Sequence, residues 1–201
     1  CIRDRLENML ELSQLISTED PLPVAQTDIC LLCAERLELQ RQLGDNPAVG
    51  YAYEAVEEGI EIPTNAFYLT RVLDNLLHNA AKFTAAGRIT LRCRNDESRR
   101  TLQISVSDTG IGIPKDKQGV IFERFAQASR AVDSNMKGSG IGLSLCRDIV
   151  ALHHGEISVD SRPGEGASFT VKLKLGNAHF GMEQIDFTGA GAGKGERRND
   201  Y

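Results

Sequence analysis

The sequence predicts an α/β two-layer sandwich, a mixed but mostly antiparallel sheet packed on helices. Three observations lead there. Apolar residues recur at helical spacing over 28–42, 64–83 and 140–153. "GRITLRCRN" and "RTLQISVSD" alternate in the manner of strands and enclose the turn-like "DESRR". "GEISVDSRPGEGASFTVKLKL" reads as two more strands around a Gly/Pro turn. Helices mixed with a block of antiparallel strands argue against a doubly wound sheet.

Composition agrees with one sizeable domain carrying short additions. The chain has 201 residues, of which 41% are hydrophobic and 25% charged. A net charge of -5 offers no nucleic-acid surface, so any phosphate site has to be built locally. No long apolar run or signal-peptide pattern is present, so direct membrane contact is not expected. Cys1, Cys30, Cys33, Cys93 and Cys146 are too scattered for a disulfide framework. The Cys30–Cys33 pair has redox-motif spacing but lies in an apolar helical pattern, which favours core packing and a reducing, cytoplasmic compartment.

Along the chain, residues 1–17 place Ile2, Leu6, Met9, Ser13 and Ile16 at alternating steps of four and three. Such a seam wants a partner helix. It either packs on the domain or is the stub of a dimerising segment. Pro21 and Pro23 break it, and a short strand follows. Asp28 caps a helix running to about Gln42 that Gly44 ends. "VGYAYEAV" is strand-like, and a helix starts near Thr64 behind Pro63. After the hairpin, residues 115–137 are polar and irregular apart from "VIFERFAQ", and a further helix runs from Gly140 to about His153. The domain spans 18–176; the Gly-rich 177–201 cannot build a core and reads as a tail or linker.

"RVLDNLLHNAAKFT" carries an apolar stripe of Val72, Leu73, Leu76, Leu77, Ala80 and Phe83, with Asn75, His78, Asn79 and Lys82 on the other side. Asn is a poor helix-interior residue because its amide competes for backbone hydrogen bonds, so two on one face call for a reason. An amide oxygen is a neutral hard ligand suited to Mg²⁺, and Lys82 can neutralise phosphate charge. "SVSDTGIGIP" puts Asp108 at a strand exit, where a carboxylate can accept from an exocyclic amine while Gly110 and Gly112 let backbone approach a flat ligand. "KGSGIGLSLCRDIV" gathers Gly138, Gly140 and Gly142 at a helix N-terminus, where phosphate binds well. No Gly-Lys-Ser/Thr occurs, which excludes a P-loop.

In order, Asn-x-x-x-Asn-x-x-Lys-Phe, Asp-x-Gly-x-Gly, Phe-x-x-Phe and Gly-x-Gly-x-Gly-Leu resemble the catalytic ATP-binding domain of sensor histidine kinases. That family belongs to the superfamily of gyrase, Hsp90 and MutL ATPases, with the Bergerat-type ATP-binding fold. The likeness covers roughly residues 20–175. It implies that Asn79 ligates Mg²⁺, that Asn75 assists at the metal or phosphates, and that Lys82 touches phosphate. Asp108 would read the adenine amino group, with Gly110 and Gly112 lining the base pocket. Phe122 and Phe125 would anchor a mobile lid over about 115–137. Gly138, Gly140 and Gly142, with Ser139, Ile141 and Leu143 of the same motif, would hold the nucleotide. Arg124, Arg130 and Lys137 are candidate lid cations. Gln127 stands where many family members carry Arg two residues after the second Phe.

By the same likeness, residues 1–17 are the end of the second dimerisation helix. The partners are a phosphoacceptor histidine module, a response-regulator receiver domain and a second copy of a full-length parent, whose anchoring in the inner membrane is left open. His78, His153, His154 and His179 lack the His-Glu or His-Asp context of the acceptor, so autophosphorylation by this chain alone is not expected. His78 reads as an exposed residue, and His153 and His154 as cationic caps on a helix dipole. Gyrase-like relatives carry a Glu that activates water where this chain has Asn75. An amide cannot act as a general base near neutral pH, which favours phosphotransfer over hydrolysis. The competing readings are an ATP hydrolase of the gyrase or Hsp90 type and a non-catalytic nucleotide-binding module.

Overall fold

The computed structural model describes residues 23–55, 59–126 and 140–176. The seam at 1–17, the tail from 177, and Gln127, Arg130, Lys137, Gly138 and Ser139 lie outside the described residues. The elements are β1 (Ala25–Asp28), α1 (Ile29–Leu43), β2 (Val49–Ala55), β3 (Glu61–Thr64), α2 (Ala66–Phe83), β4 (Gly87–Asp96), β5 (Thr101–Asp108), α3 (Lys115–Gln118), α4 (Gly142–Leu152), β6 (Glu156–Arg162) and β7 (Gly166–Lys174). Five strands form one sheet in the order β2-β4-β5-β7-β6, while β1 and β3 pair separately. Only the β2–β4 pairing in the large sheet is parallel. The predicted mixed, mostly antiparallel sheet on helices is therefore the observed architecture.

The alternation of β4 and β5 sends Ile89, Leu91, Cys93, Leu102, Ile104 and Val106 to the helix side, where all are buried. Their neighbours Arg92 and Arg94 face solvent. From α2, Leu69, Val72, Leu73, Leu76, Leu77 and Ala80 meet that sheet face. Each buried Leu or Val contributes about 1.5–3 kcal/mol relative to exposure. The apolar stripe thus anchors α2 in the core, and its polar face carries Asn75, His78, Asn79 and Lys82. Leu145, Ile149 and Val150 seat α4 in the same core.

Local signals explain the termini. Asp28 Oδ1 accepts from Leu31 N–H at 3.0 Å and caps α1, which ends at Gly44, as its sequence predicts. Cys30, Cys33, Cys93 and Cys146 are buried free thiols, so the Cys30–Cys33 pair packs as expected, with the Cys30 thiol 3.7 Å from Cys93 Sγ.

Three expectations are corrected. Pro63 and Thr64 belong to β3, and α2 begins at Ala66 with Asn65 as its cap; β3 pairs only with β1, so a residue without an N–H is tolerated. Gly140 lies outside α4, because its φ of +70° cannot propagate a right-handed helix; α4 starts at Gly142. His153 is not a cationic cap. The residue is 2% exposed, and burial, aided by the nearby His154, pushes its pKa below the ordinary histidine value despite the Ile149 carbonyl.

Candidate functional site

The end of β5, the end of α2 and the β6–β7 turn meet around Asp108, and the start of α4 meets α2 at Asn75. Asp108 ends β5 half-buried, with Oδ1 accepting from Gly110 N–H at 2.8 Å. Burial raises its pKa, while the N–H groups of Gly110 and Ala167 hold it back. A carboxylate kept short of water is suited to accept from a neutral amine.

Backbone packs tightly around that carboxylate. A Cβ on Gly110 would lie 2.2 Å from the Phe83 carbonyl oxygen, and one on Gly112 would lie 2.0 Å from that of Arg162. Gly166 is as crowded, since a Cβ there would lie 1.9 Å from the Asp108 carbonyl oxygen. The loop is tied down further. Ile113 N–H donates to Ser161 Oγ at 2.8 Å, and Gln118 Nε2 donates to the carbonyls of Ile113 at 2.8 Å and Ser161 at 2.7 Å. Gly166, Ser161 and Gln118 were not anticipated from sequence. "PGEG" carries only a turn signal, and its contact with Asp108 depends on β5 pairing with β7.

On α2, Asn75 and Asn79 are half-buried and His78 is exposed. Asn75 Nδ2 donates to the Arg71 carbonyl at 2.9 Å, which leaves Oδ1 toward α4. A Cβ on Gly142 would lie 2.6 Å from that Oδ1, so the first residue of α4 abuts the Asn75 amide oxygen. The donor chemistry fits a hard cation shared with phosphate: neutral amide oxygens from α2, beside a glycine-lined helix start. Among the described residues no group of three or more His, Cys, Asp or Glu could hold a metal by itself.

Lys82 is placed differently from the two Asn. Burial lowers its pKa, its ammonium lies 5.1 Å from the Phe83 ring centroid, and with His78 it lines a groove of about 690 Å³ between α1 and α2. Neither Asn75 nor Asn79 lines that groove.

The two Phe also differ. Phe122 sets its ring edge-on to Phe169 at 6.3 Å, anchoring the segment after α3. Phe125 is 64% exposed with φ 64°, and its backbone is what engages, donating to the Gly140 carbonyl at 2.9 Å. Ile141 is buried, and Leu143 packs against the core half-buried. Arg124 pairs with Asp148 of α4 at 3.5 Å.

Residues 64–177 match the family described as Histidine kinase-, DNA gyrase B-, and HSP90-like ATPase. The chain is 38% identical over 146 residues to Sensor histidine kinase RcsC of Escherichia coli, covering 72% of this chain and 14% of that protein. It is 36% identical over 176 residues to Adaptive-response sensory kinase SasA of Synechocystis, covering 87% and 45%. It therefore spans about a seventh of the first relative's length and a little under half of the second's. Among solved structures, full-length ShkA in complex with AMPPNP superposes with a TM-score of 0.73 at 27% identity, over 84% of this chain and 34% of that one. The catalytic domain of histidine kinase ThkA superposes at 0.66 and 23% identity, covering 77% of this chain and 97% of that one, a likeness of fold. No helix among the described residues is long and apolar enough to cross a membrane. A family match over more than half of the chain, joined to a sheet ending at Asp108 and an Asn helix facing a glycine-lined helix start, makes this chain a member of the histidine kinase, gyrase B and HSP90-like ATPase family.

Proposed function

We propose that the chain is the catalytic ATP-binding domain of a two-component sensor histidine kinase. In this reading it binds Mg-ATP and delivers the γ-phosphoryl group to a histidine on a dimerisation module, from which a response-regulator receiver takes it. The observation that carries the reading is Asn75. Its amide nitrogen is committed to the Arg71 carbonyl and its oxygen faces Gly142, so this position offers an oxygen donor and no base.

The other residues divide the work. Asp108 accepts from the adenine amino group, and guanine would present a carbonyl there. Gly110 and Gly112 bring backbone against the ring. Asn79 and Asn75 would hold Mg²⁺ through amide oxygens, and Gly140 and Gly142 would present the start of α4 to phosphate. A bound magnesium ion would neutralise charge on the phosphate oxygens as transfer proceeds. Lys82 would reach phosphate by leaving the Phe83 ring, exchanging a partly buried setting that disfavours its charge for an anion that favours it. Transfer then rests on positioning and charge neutralisation.

Calorimetric titration with AMPPNP, with and without Mg²⁺, tests binding. Wild type is expected to bind tightly only with Mg²⁺, and Asn79→Ala to lose about tenfold and most of that dependence, roughly 1.4 kcal/mol for one lost ligand. Mixing the chain with a separately produced histidine-bearing module and γ-labelled ATP should label the module. Steady ATP hydrolysis that Asn75→Ala abolishes would instead establish a hydrolase.

A further inference from the structure

His153 joins the two helices on which the proposed phosphate end of the site depends. Its Nε2 accepts from the Asn65 backbone N–H at 3.0 Å, and its Nδ1 lies 2.8 Å from the Ile149 carbonyl. An acceptor at Nε2 and a donor at Nδ1 define the neutral Nδ1–H tautomer. Asn65 is itself a junction: its Oδ1 accepts from Tyr68 N–H to cap α2, and its Nδ2 donates to the Pro23 carbonyl at 2.8 Å.

A second contact stands at the other end of the same helix pair, where Gly142 abuts Asn75 Oδ1. Asn65 and Asn75 are about 15 Å apart along α2, and His153 and Gly142 about 16 Å apart along α4, at the helical rise. The two spans match, and the helices run antiparallel between them. Between the two ends, the Cys146 thiol lies 3.8 Å from the Val72 carbonyl. Burial pushes that thiol up to about 12, so it stays a donor at neutral pH. The register of α4 on α2 is thus held by an imidazole at one end, while the other end is where Asn75 meets the glycine loop.

We propose that His153 is a positioning residue for Mg-nucleotide binding: its neutral imidazole, bridging Asn65 and Ile149, sets the register that presents Gly142 to Asn75. The nucleotide part of this statement rests on the function proposed above. Protonating Nε2 removes the acceptor and points a second N–H at that of Asn65. Among the described residues, His154 is the titratable group that acts on the ring, and it too disfavours the charged form. Register is therefore kept at neutral pH and released as the medium turns acid.

The test uses the whole chain with three readouts. AMPPNP affinity in Mg²⁺ at pH 7.5 is expected to fall about tenfold in His153→Leu. It should stay within about threefold of wild type in His153→Gln, whose amide oxygen replaces the Nε2 acceptor. As the pH falls from 7.5 through the midpoint of the His153 ring, the affinity of wild type should fall more steeply than that of His153→Gln; subtracting the two profiles removes the titration of Asp108 and of the nucleotide, which both proteins share. The third readout needs no nucleotide. The Gly142 N–H and the Asn75 side-chain amide should shift with pH at the midpoint of the His153 ring nitrogens in wild type, and not in His153→Gln. Amide resonances that ignore the His153 titration, or identical pH profiles for wild type and His153→Gln, would overturn the proposal even if His153→Leu failed to fold. Absence of AMPPNP binding by wild type at pH 7.5 would sink the nucleotide reading instead, and the amide resonances would still decide the register.

Discussion

At the Asp108 end of the site, glycines press backbone against backbone; where α4 meets Asn75, Gly142 presses against a side chain. Gly110, Gly112 and Gly166 face the carbonyl oxygens of Phe83, Arg162 and Asp108, none of which can swing aside. Gly142 faces Asn75 Oδ1, the tip of an amide that can rotate. The first end is a surface built before any ligand arrives. The second is held in place by helix packing and presents side chains with hydrogen-bonding capacity to spare. A flat base suits the first, and a charged group with its own ion suits the second.

Adding one methyl group at each end separates the two designs. Gly166 has φ +83°. Gly166→Ala therefore costs about 1–2 kcal/mol for the left-handed backbone and about 1–3 kcal/mol for overpacking against the Asp108 carbonyl. Urea unfolding should show a loss on the order of 3 kcal/mol, with AMPPNP binding nearly abolished because β5 has to shift. Gly142→Ala should leave stability within about 1 kcal/mol, since Ala favours helix over Gly. It should still cost about tenfold in Mg-dependent affinity by turning Asn75 Oδ1 away. Equal stability losses in the two variants would erase the distinction between the ends.

Asp108→Asn comes next in size and splits binding from stability. Losing a charge-assisted hydrogen bond to the adenine amine costs about 1.5–3 kcal/mol, or roughly 10–150-fold in affinity. The unliganded protein should move the other way. Burial raises the folded-state pKa of Asp108, so the unfolded chain releases this proton more readily. The ionised group therefore penalises folding above its folded pKa, and the penalty vanishes below the unfolded value near 4. Asp108→Asn should melt above wild type at pH 7, with the gap closing as the pH falls toward 4. A variant that melts lower at pH 7 would show that the carboxylate holds the loop more than burial strains it.

Local chemistry made much of this legible in sequence. Asp28 and Gly44 bound α1, the β4–β5 and β6–β7 hairpins show their alternation and turns, and the apolar stripe of α2 turns Asn75 and Asn79 away from the core. What stayed hidden depends on distant partners. Pro63 reads as a helix entry, and only its pairing with Gln26 in β1 makes it a strand residue. Gly166 reads as punctuation, and only β7 lying beside β5 brings it to Asp108. His153 reads as a charged cap, because helix-end position is local while burial against Asn65 is not. Phe125 keeps its motif position, yet backbone rather than ring makes its contact with Gly140.

The smallest expected effect probes whether α1 also holds the Asn75 end. Arg36 forms a two-pronged pair with Asp74, at 2.8 and 3.0 Å, on the residue just before Asn75. Both partners are partly open to water, at 23% and 42% side-chain exposure, so solvent screens the pair. Arg36→Ala should then cost roughly 0.5–1 kcal/mol in urea unfolding, less at high salt. AMPPNP affinity should change by less than about twofold, because Asp74 points to α1 while Asn75 is braced by its own bond to Arg71 and by Gly142. A tenfold loss of affinity from this variant would mean that the α1–α2 pair, and not the α2–α4 contact alone, sets the position of Asn75, and the phosphate end would have to be regarded as a three-helix device.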